Sequence, residues 1–221
     1  GADIVFVNGL GFETWLDALI NNAGGDASVI VATDGVEPIL VDGEIDPHAW
    51  NALTNGVIYV ENIAAAMAAA DAGNADAYKA NAAFYIARLR ALHAGAADRF
   101  GSLPEDGRTV VTAHDAFGYL AASYGLNFLA PVGIDTEAEP SASELAALIA
   151  HLKETGAGAL FVENITSPAL IEQISKETEL KIGGRLFSDA LSERGGPATS
   201  YVAMFEHNLG AIMTALQDSG S

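Results

Sequence analysis

The sequence predicts an α/β protein with a mostly parallel sheet that helices cover on both faces. Short apolar runs rich in β-branched residues alternate with segments of helical periodicity, and short turns join them. This alternation is typical of parallel strands connected by crossover helices. Half of the 221 residues are hydrophobic, which gives the chain enough apolar surface for a packed core. The length corresponds to one large domain or two small ones.

Short strands and one amphipathic helix are predicted for the first part of the chain. Strands are expected at 4–7 and 28–32. A helix is predicted over 12–20, because apolar side chains recur there at the i, i+3, i+4, i+7 spacing, at Phe12, Trp15, Leu16, Leu19 and Ile20. The acidic segment 33–47 is rich in glycine and proline, and is predicted to be a loop with a brief hairpin around 39–41.

An alanine-rich region with high helix propensity follows, from residue 49 to about residue 99. It predicts two helices, over about 50–70 and 75–100, separated by a break at 71–74. At 1.5 Å per residue the second helix would be roughly 35–40 Å long. A helix of that length can act as a strut between two lobes.

The remainder of the chain again alternates strands with helices. Strands are predicted at 109–112, 127–132, 159–162 and 181–187, and helices at 117–124, 168–178 and 200–216. Another helix is expected to run to about residue 155. Its start is predicted by Ser141 with Glu144 three residues later, the pattern of a capping box.

Composition and charge exclude several classes of protein. The 10 Lys and Arg against 29 Asp and Glu give a net charge of −19, so the basic footprint of a nucleic-acid binder is missing. The same charge argues against docking on anionic lipid through a polybasic patch. Without cysteine the chain has no disulfides, thiolate metal sites or thiol nucleophiles. The sequence also lacks 18 consecutive apolar residues, and no transmembrane helix is expected.

Two histidines and one aspartate are the candidate metal ligands. His48 lies where an acidic loop meets a long helix, and His114 directly follows a predicted strand. Asp189 follows another extended run. Ligands of open α/β sheets bind outside the carboxyl ends of the strands, and imidazole and carboxylate groups suit Zn²⁺. The alternative is structural: His48 and Asp189 cap the segments that follow them, and His114 packs under a loop.

The remaining polar candidates have weaker signals. Asp115 could orient His114 through a hydrogen bond from outside the coordination sphere, or it could cap the next helix. Glu163, at the end of a predicted strand, could face a pocket or cap residues 164–166. Three further histidines are most simply structural or surface residues, namely His93, His151 and His207.

Six stretches together resemble the metal-binding solute-binding proteins of ABC transporters for zinc and manganese, the ZnuA/TroA type. They occur in the order of that family and span nearly the whole chain. The matching stretches are Ala2 to Glu13, Asp46 to Trp50, Thr112 to Tyr119, Phe161 to Asn164, Phe187 to Leu191 and Gly196 to Tyr201.

The resemblance implies two α/β lobes joined by a long, rigid backbone helix, with one metal ion in the cleft between them. Carried over by position, the second, third and fourth ligands are His48, His114 and Asp189. Histidine at the third position points to Zn²⁺ rather than Mn²⁺. The family's first ligand is a histidine upstream of the segment at which this chain begins. The N-terminal lobe is therefore expected to be incomplete, with 1–48 as its remainder, 49–103 as the helical region and 104–221 as the C-terminal lobe.

The function implied by the resemblance is the capture of Zn²⁺ outside the cytoplasm and its delivery to an ABC transporter permease. A periplasmic or lipid-anchored monomer is expected, with its signal peptide removed and with a metallochaperone as a further candidate partner. One alternative is a zinc-dependent hydrolase that has an open coordination position and uses Glu163 or Glu44 as general base. Another is a surface adhesin, or a module that binds haem or a siderophore.

Overall fold

The structure, a computed structural model, describes residues 2–23, 26–104, 107–134, 140–155 and 158–219. The chain forms two compact units, Gly1–Ala94 and Gly95–Ser221. The first unit holds β1 (Ile4–Val7), α1 (Leu16–Ala23), β2 (Ser28–Val31), β3 (Leu40–Val41), β4 (Glu44–Ile45), α2 (Leu53–Ala70) and most of α3 (Ala75–Gly101). The second holds β5 (Thr109–Val111), α4 (Gly118–Tyr124), β6 (Asn127–Leu129), α5 (Ala142–Thr155), β7 (Ala159–Glu163), α6 (Ala169–Thr178), β8 (Ile182–Leu186) and α7 (Tyr201–Ser219). The predicted division at residues 48 and 103 stays a prediction.

The first unit contains a parallel pair of strands covered by a helix. β1 and β2 pair in parallel with Ile4 opposite Ser28, and α2 contacts both strands. β3 and β4 form the predicted hairpin, with Leu40 opposite Ile45. The predicted strands and hairpin of this part of the chain are therefore confirmed.

The predicted helix over 12–20 begins later in the structure, at Leu16. Three consecutive residues before it, Gly9, Leu10 and Gly11, have positive φ angles of 86°, 54° and 81°. This left-handed backbone does not continue into a right-handed helix, so residues 10–15 form turns instead. The apolar periodicity was a correct signal for a helix but gave no information on the turn before it.

The alanine-rich region forms the two predicted helices with a short break between them. Asp71 is at this break, where its Oδ2 accepts hydrogen bonds from Asn74 Nδ2 over 2.8 Å and from the Tyr78 hydroxyl over 2.9 Å. These bonds lower the pKa of the Asp71 carboxyl. α3 then continues for 27 residues, and the division between the two units falls within it.

The second unit is built on a four-stranded parallel sheet with the strand order β6-β5-β7-β8. The chain passes from β5 to β6 on one side and then returns to β7 on the other side of β5. The carboxyl ends of β5 and β7 therefore lie at the topological switch point, where open α/β sheets bind ligands. β6 ends at Leu129, before Pro131, and is shorter than the predicted strand over 127–132, because proline has no N–H for a ladder.

Helices cover the faces of this sheet as the sequence predicts. One core cluster joins buried residues of β5, α5, β7 and α6, among them Val111, Leu152, Leu160 and Ile171. α5 begins with the predicted capping box, in which Ser141 Oγ accepts the Glu144 N–H and the Glu144 carboxylate accepts the Ser141 N–H. α7 packs closely on β8 at Gly183. A side chain at this position would bring its Cβ within 2.8 Å of the Ala215 side chain, so the close approach requires glycine.

None of the described helices combines the length and the apolar character needed to cross a bilayer.

The pH dependence of stability can be tested at Tyr124. Its ring packs against Phe100 with the centroids 5.4 Å apart, and burial raises the pKa of its hydroxyl above the ordinary value of 10.0. In the unfolded chain Tyr124 ionises near that ordinary value, so ionisation stabilises the unfolded state first. The contribution is complete below about pH 10 and is lost as the pH rises above it.

We expect the free energy of unfolding of the wild type to fall more between pH 9 and pH 11 than that of Tyr124→Phe. Urea unfolding of both proteins at the two pH values measures this difference. An equal decrease in both proteins would contradict the assignment.

Candidate metal centre

The first unit holds His48 in a buried loop through the carboxylate of Asp46. His48 is 2% exposed and Asp46 is fully buried. Asp46 Oδ1 accepts the backbone N–H of His48 over 2.9 Å and lies 2.7 Å from its Nδ1. A carboxylate partner favours the tautomer with the proton on Nδ1, in which Nε2 carries the lone pair. The side chain makes no capping hydrogen bond to the short helical turn that follows, so the capping alternative for His48 is wrong.

The loop that carries His48 is fixed by Asn8, which directly follows β1. Asn8 Nδ2 donates to the Pro47 carbonyl oxygen over 3.0 Å, and its Oδ1 accepts from the hydroxyl of Tyr59 on α2. The Trp50 ring stands edge-on to the His48 ring with a centroid distance of 5.2 Å. The position of His48 thus depends on β1, α2 and its own loop together.

The second unit holds His114 in the same way, through Glu163. His114 follows β5 and is fully buried, and Glu163 is the last residue of the neighbouring strand β7. Glu163 Oε1 accepts the backbone N–H groups of Ala113 and His114, over 2.9 and 3.0 Å. Its Oε2 lies 2.7 Å from His114 Nδ1. Both imidazoles therefore use Nδ1 for a buried carboxylate, and Nε2 is the nitrogen that faces away from that carboxylate.

Asp189 lies at the Nε2 edge of the His114 ring. It follows β8, and its Oδ2 lies 3.3 Å from His114 Nε2. Two ligand atoms of a tetrahedral zinc ion, each about 2.1 Å from the metal, are about 3.4 Å apart. The structure therefore brings two of the three predicted ligands together as an ion pair, at a separation that is also compatible with a shared zinc ion.

The charge state of His114 follows from two opposing effects. Burial lowers its pKa, whereas the hydrogen bonds and negative charges of Asp189 and Glu163 raise it, and the net result is a pKa raised to about 9. A pKa of about 9 means that the imidazole carries a proton at neutral pH, whose single positive charge offsets part of the negative charge of the two carboxylates. A metal ion bound at Nε2 would displace this proton.

The partner of His114 differs from the one that the sequence suggested first. Asp115 was a candidate to orient the ring, but the carboxylate at Nδ1 belongs to Glu163. Glu163 does not cap residues 164–166, because its carboxylate accepts from Ala113 and His114 instead. The adjacency of β5 and β7 creates this contact, and a sequence separation of 49 residues gives no local signal of it.

The other predicted residues have ordinary roles or lie at the surface. Glu44, the alternative general base, is exposed on β4. His207 is structural as predicted, since its Nε2 lies 2.8 Å from the Arg185 carbonyl oxygen and its ring packs edge-on to Phe187. His151 is exposed on α5.

Comparison with known families gives a match over nearly the whole chain. A family model described as "Zinc-uptake complex component A periplasmic" (ZnuA) matches residues 1–215. The chain is 33% identical over 226 residues to the manganese ABC transporter substrate-binding lipoprotein PsaA of Streptococcus pneumoniae, a match that covers 97% of this chain and 73% of the relative. The iron ABC transporter substrate-binding lipoprotein MtsA of Streptococcus pyogenes serotype M1 matches with the same identity and coverage.

Solved structures show the same likeness. The periplasmic zinc-binding protein TroA from Treponema pallidum matches with a TM-score of 0.91 at 28% identity, over 97% of this chain and 81% of that chain. A manganese-bound periplasmic metal-binding protein from Candidatus Liberibacter asiaticus matches with a TM-score of 0.87 at 32% identity and the same coverage. These likenesses confirm the predicted fold class.

The importance of Glu163 can be measured without any metal. We expect Glu163→Gln to lower the free energy of unfolding of the metal-free protein by about 1–3 kcal/mol, because the buried N–H groups and His114 lose a charged acceptor. Urea unfolding measures the change. Glu172→Gln on the exposed face of α6 is the matched control, and a change of no more than about 0.5 kcal/mol is expected there. Equal effects of the two substitutions would contradict the role given to Glu163.

Proposed function

The chain belongs to the periplasmic zinc-uptake component A family, and is therefore a metal-binding substrate-binding protein of an ABC transporter. From that premise we propose that its cargo is Zn²⁺. In this proposal the protein captures the ion outside the cytoplasm and delivers it to the membrane permease. The pairing of His114 Nε2 with Asp189 Oδ2 at 3.3 Å is the observation that carries the proposal.

We propose His48, His114 and Asp189 as the protein ligands of the ion. Each imidazole has Nδ1 held by a buried carboxylate, which is the usual support of a metal-binding histidine. The resemblance assigns the same three positions as ligands.

The donor set favours zinc over the other metals named for relatives. Those relatives are named for manganese, iron or zinc, so the family alone leaves the metal open. Two neutral imidazoles and one carboxylate suit Zn²⁺, whereas Mn²⁺ prefers sites richer in oxygen. Histidine at position 114 therefore supports zinc as the cargo and Mn²⁺ as the weaker ligand.

Binding would exchange protons for the ion. Zn²⁺ needs a neutral imidazole at His114, so loading releases the proton that the neighbouring carboxylates stabilise in the metal-free protein. The net charge of −19 raises the local concentration of cations around the protein. The proton competes with the ion below about pH 9, so the affinity for Zn²⁺ would rise with pH up to that value, whereas the negative net charge favours capture of a divalent cation from dilute solution.

Location and partners follow from the same family membership. Relatives are named as lipoproteins or as periplasmic proteins, and we propose an extracytoplasmic location with a lipid anchor for this protein as well. The proposed partners are the ion, the permease and a metallochaperone, and the proposed state is a monomer. We propose no enzymatic role, because the relatives described above are all named for binding rather than for a reaction.

Substitution of single ligands tests the site directly. We expect one Zn²⁺ per wild-type chain, and at least about 100-fold weaker binding in His48→Ala, His114→Ala and Asp189→Ala, since even groups that only support a ligand contribute 10–100-fold. Competition with a chromophoric chelator measures the affinity after removal of bound metal. His151→Ala, on the exposed side of α5, is the control and should bind as the wild type does.

Unchanged stoichiometry and affinity in His114→Ala would refute the proposed site. An effect confined to His114→Ala and Asp189→Ala would remove His48 from the ligand set and leave the other two.

The choice of metal can be tested by exchanging one donor. We expect His114→Glu to weaken Zn²⁺ binding by a larger factor than Mn²⁺ binding, because a carboxylate replaces an imidazole and makes the site richer in oxygen. Chelator competition with each metal gives the ratio of the two dissociation constants. A ratio that stays constant or moves further toward zinc would contradict the assignment of His114 as the residue that favours zinc.

A further inference from the structure

The loop that carries Asp189 is held by one buried asparagine. β8 ends at Leu186, and in the described chain the residues that follow it pair with no strand. Asn208 on α7 is 3% exposed. Its Nδ2 donates to the Phe187 carbonyl oxygen over 2.8 Å, and its Oδ1 accepts the Phe187 N–H over 3.0 Å. The carboxamide thus takes the place of a neighbouring strand and satisfies both backbone groups of Phe187.

The other side of Asp189 is held by Asn164, which directly follows Glu163 at the end of β7. The backbone N–H of Asn164 donates to the Leu186 carbonyl oxygen over 3.2 Å. Its side-chain Nδ2 donates to the Ala190 carbonyl oxygen over 3.0 Å. The backbone is therefore fixed on both sides of Asp189 by groups that belong to the protein itself.

We propose that Asn208 is a positioning residue for metal binding: it fixes the backbone at Phe187 and thereby places the Asp189 carboxylate for the ion before the ion arrives. This inference rests on the proposed function, in which Asp189 is a ligand. A ligand that is already in place loses less conformational freedom on binding, so the affinity is higher. Asparagine suits the role because one planar group offers a donor and an acceptor side by side, whereas leucine has a similar shape and offers neither.

A double-mutant cycle with Asp189→Ala separates positioning from a general structural role. We expect Asn208→Leu to weaken Zn²⁺ binding by about 10-fold or more in the wild-type background. If Asn208 acts through Asp189, the same substitution in the Asp189→Ala background changes the affinity by less than about 2-fold. Chelator competition measures all four proteins.

Asn127→Leu is the matched control for this cycle. Asn127 is exposed at the start of β6, where its Nδ2 donates to Thr109 Oγ1 over 3.3 Å. This substitution makes the same chemical change at the opposite end of the sheet from Asp189, and no change in Zn²⁺ affinity is expected.

The outcomes distinguish this inference from the proposed function. If Asp189→Ala binds Zn²⁺ as tightly as the wild type, the proposed function fails at that ligand. If Asp189→Ala weakens binding but Asn208→Leu has no effect, or has the same effect in both backgrounds, only the positioning role is overturned.

A second measurement on the wild-type protein decides the matter even where Asn208→Leu does not fold. We expect the Phe187 amide to be protected from hydrogen exchange in the metal-free protein, with little further protection when Zn²⁺ is added. Rapid exchange without metal, followed by strong protection with Zn²⁺, would show that the ion orders the loop and would overturn the inference.

Discussion

A buried carboxylate that binds an imidazole and the backbone beside it is the interaction on which the candidate site depends. Glu163 accepts two backbone N–H groups and contacts His114 Nδ1, so one side chain fixes both the start of the loop and the orientation of the ring. A buried charge is tolerated only with such partners. Asp189 could share a metal ion with His114 only because the His114 ring is already oriented toward the Asp189 carboxylate.

Much of the fold could be predicted from local sequence because the local signals agree with the packing. Alternating strands and helices, the capping box at Ser141 and the long alanine-rich helices all appear in the structure. The errors lie where local conformation interrupts a pattern. The left-handed residues 9–11 delay α1, and the strand that begins at Asn127 ends before Pro131. The spacing of apolar residues carries no information on left-handed backbone or on the missing N–H of proline.

The candidate site was predictable only in part. His48, His114 and Asp189 stand at loop and strand ends, where their residue types suggest ligands, and the resemblance orders them. Their supports could not be found in this way, because sheet order and helix packing bring them in from distant positions. Glu163 meets His114 across 49 residues, and Asn208 meets Phe187 across 21. Asp46 was the exception with a local signal, since it lies two residues before the histidine that it holds.

The turn after β1 also bears on the chemical durability of the protein. An asparagine followed by glycine is prone to spontaneous deamidation, in which the glycine nitrogen attacks the side-chain amide carbon, the side-chain nitrogen leaves as ammonia, and a succinimide ring closes. Here the Gly9 N–H donates to the Glu13 carboxylate over 3.1 Å, and the Asn8 carboxamide is bound to Pro47 and Tyr59. Ring closure would require all of these bonds to break. The fold thereby protects Asn8, which supports the His48 loop, from deamidation.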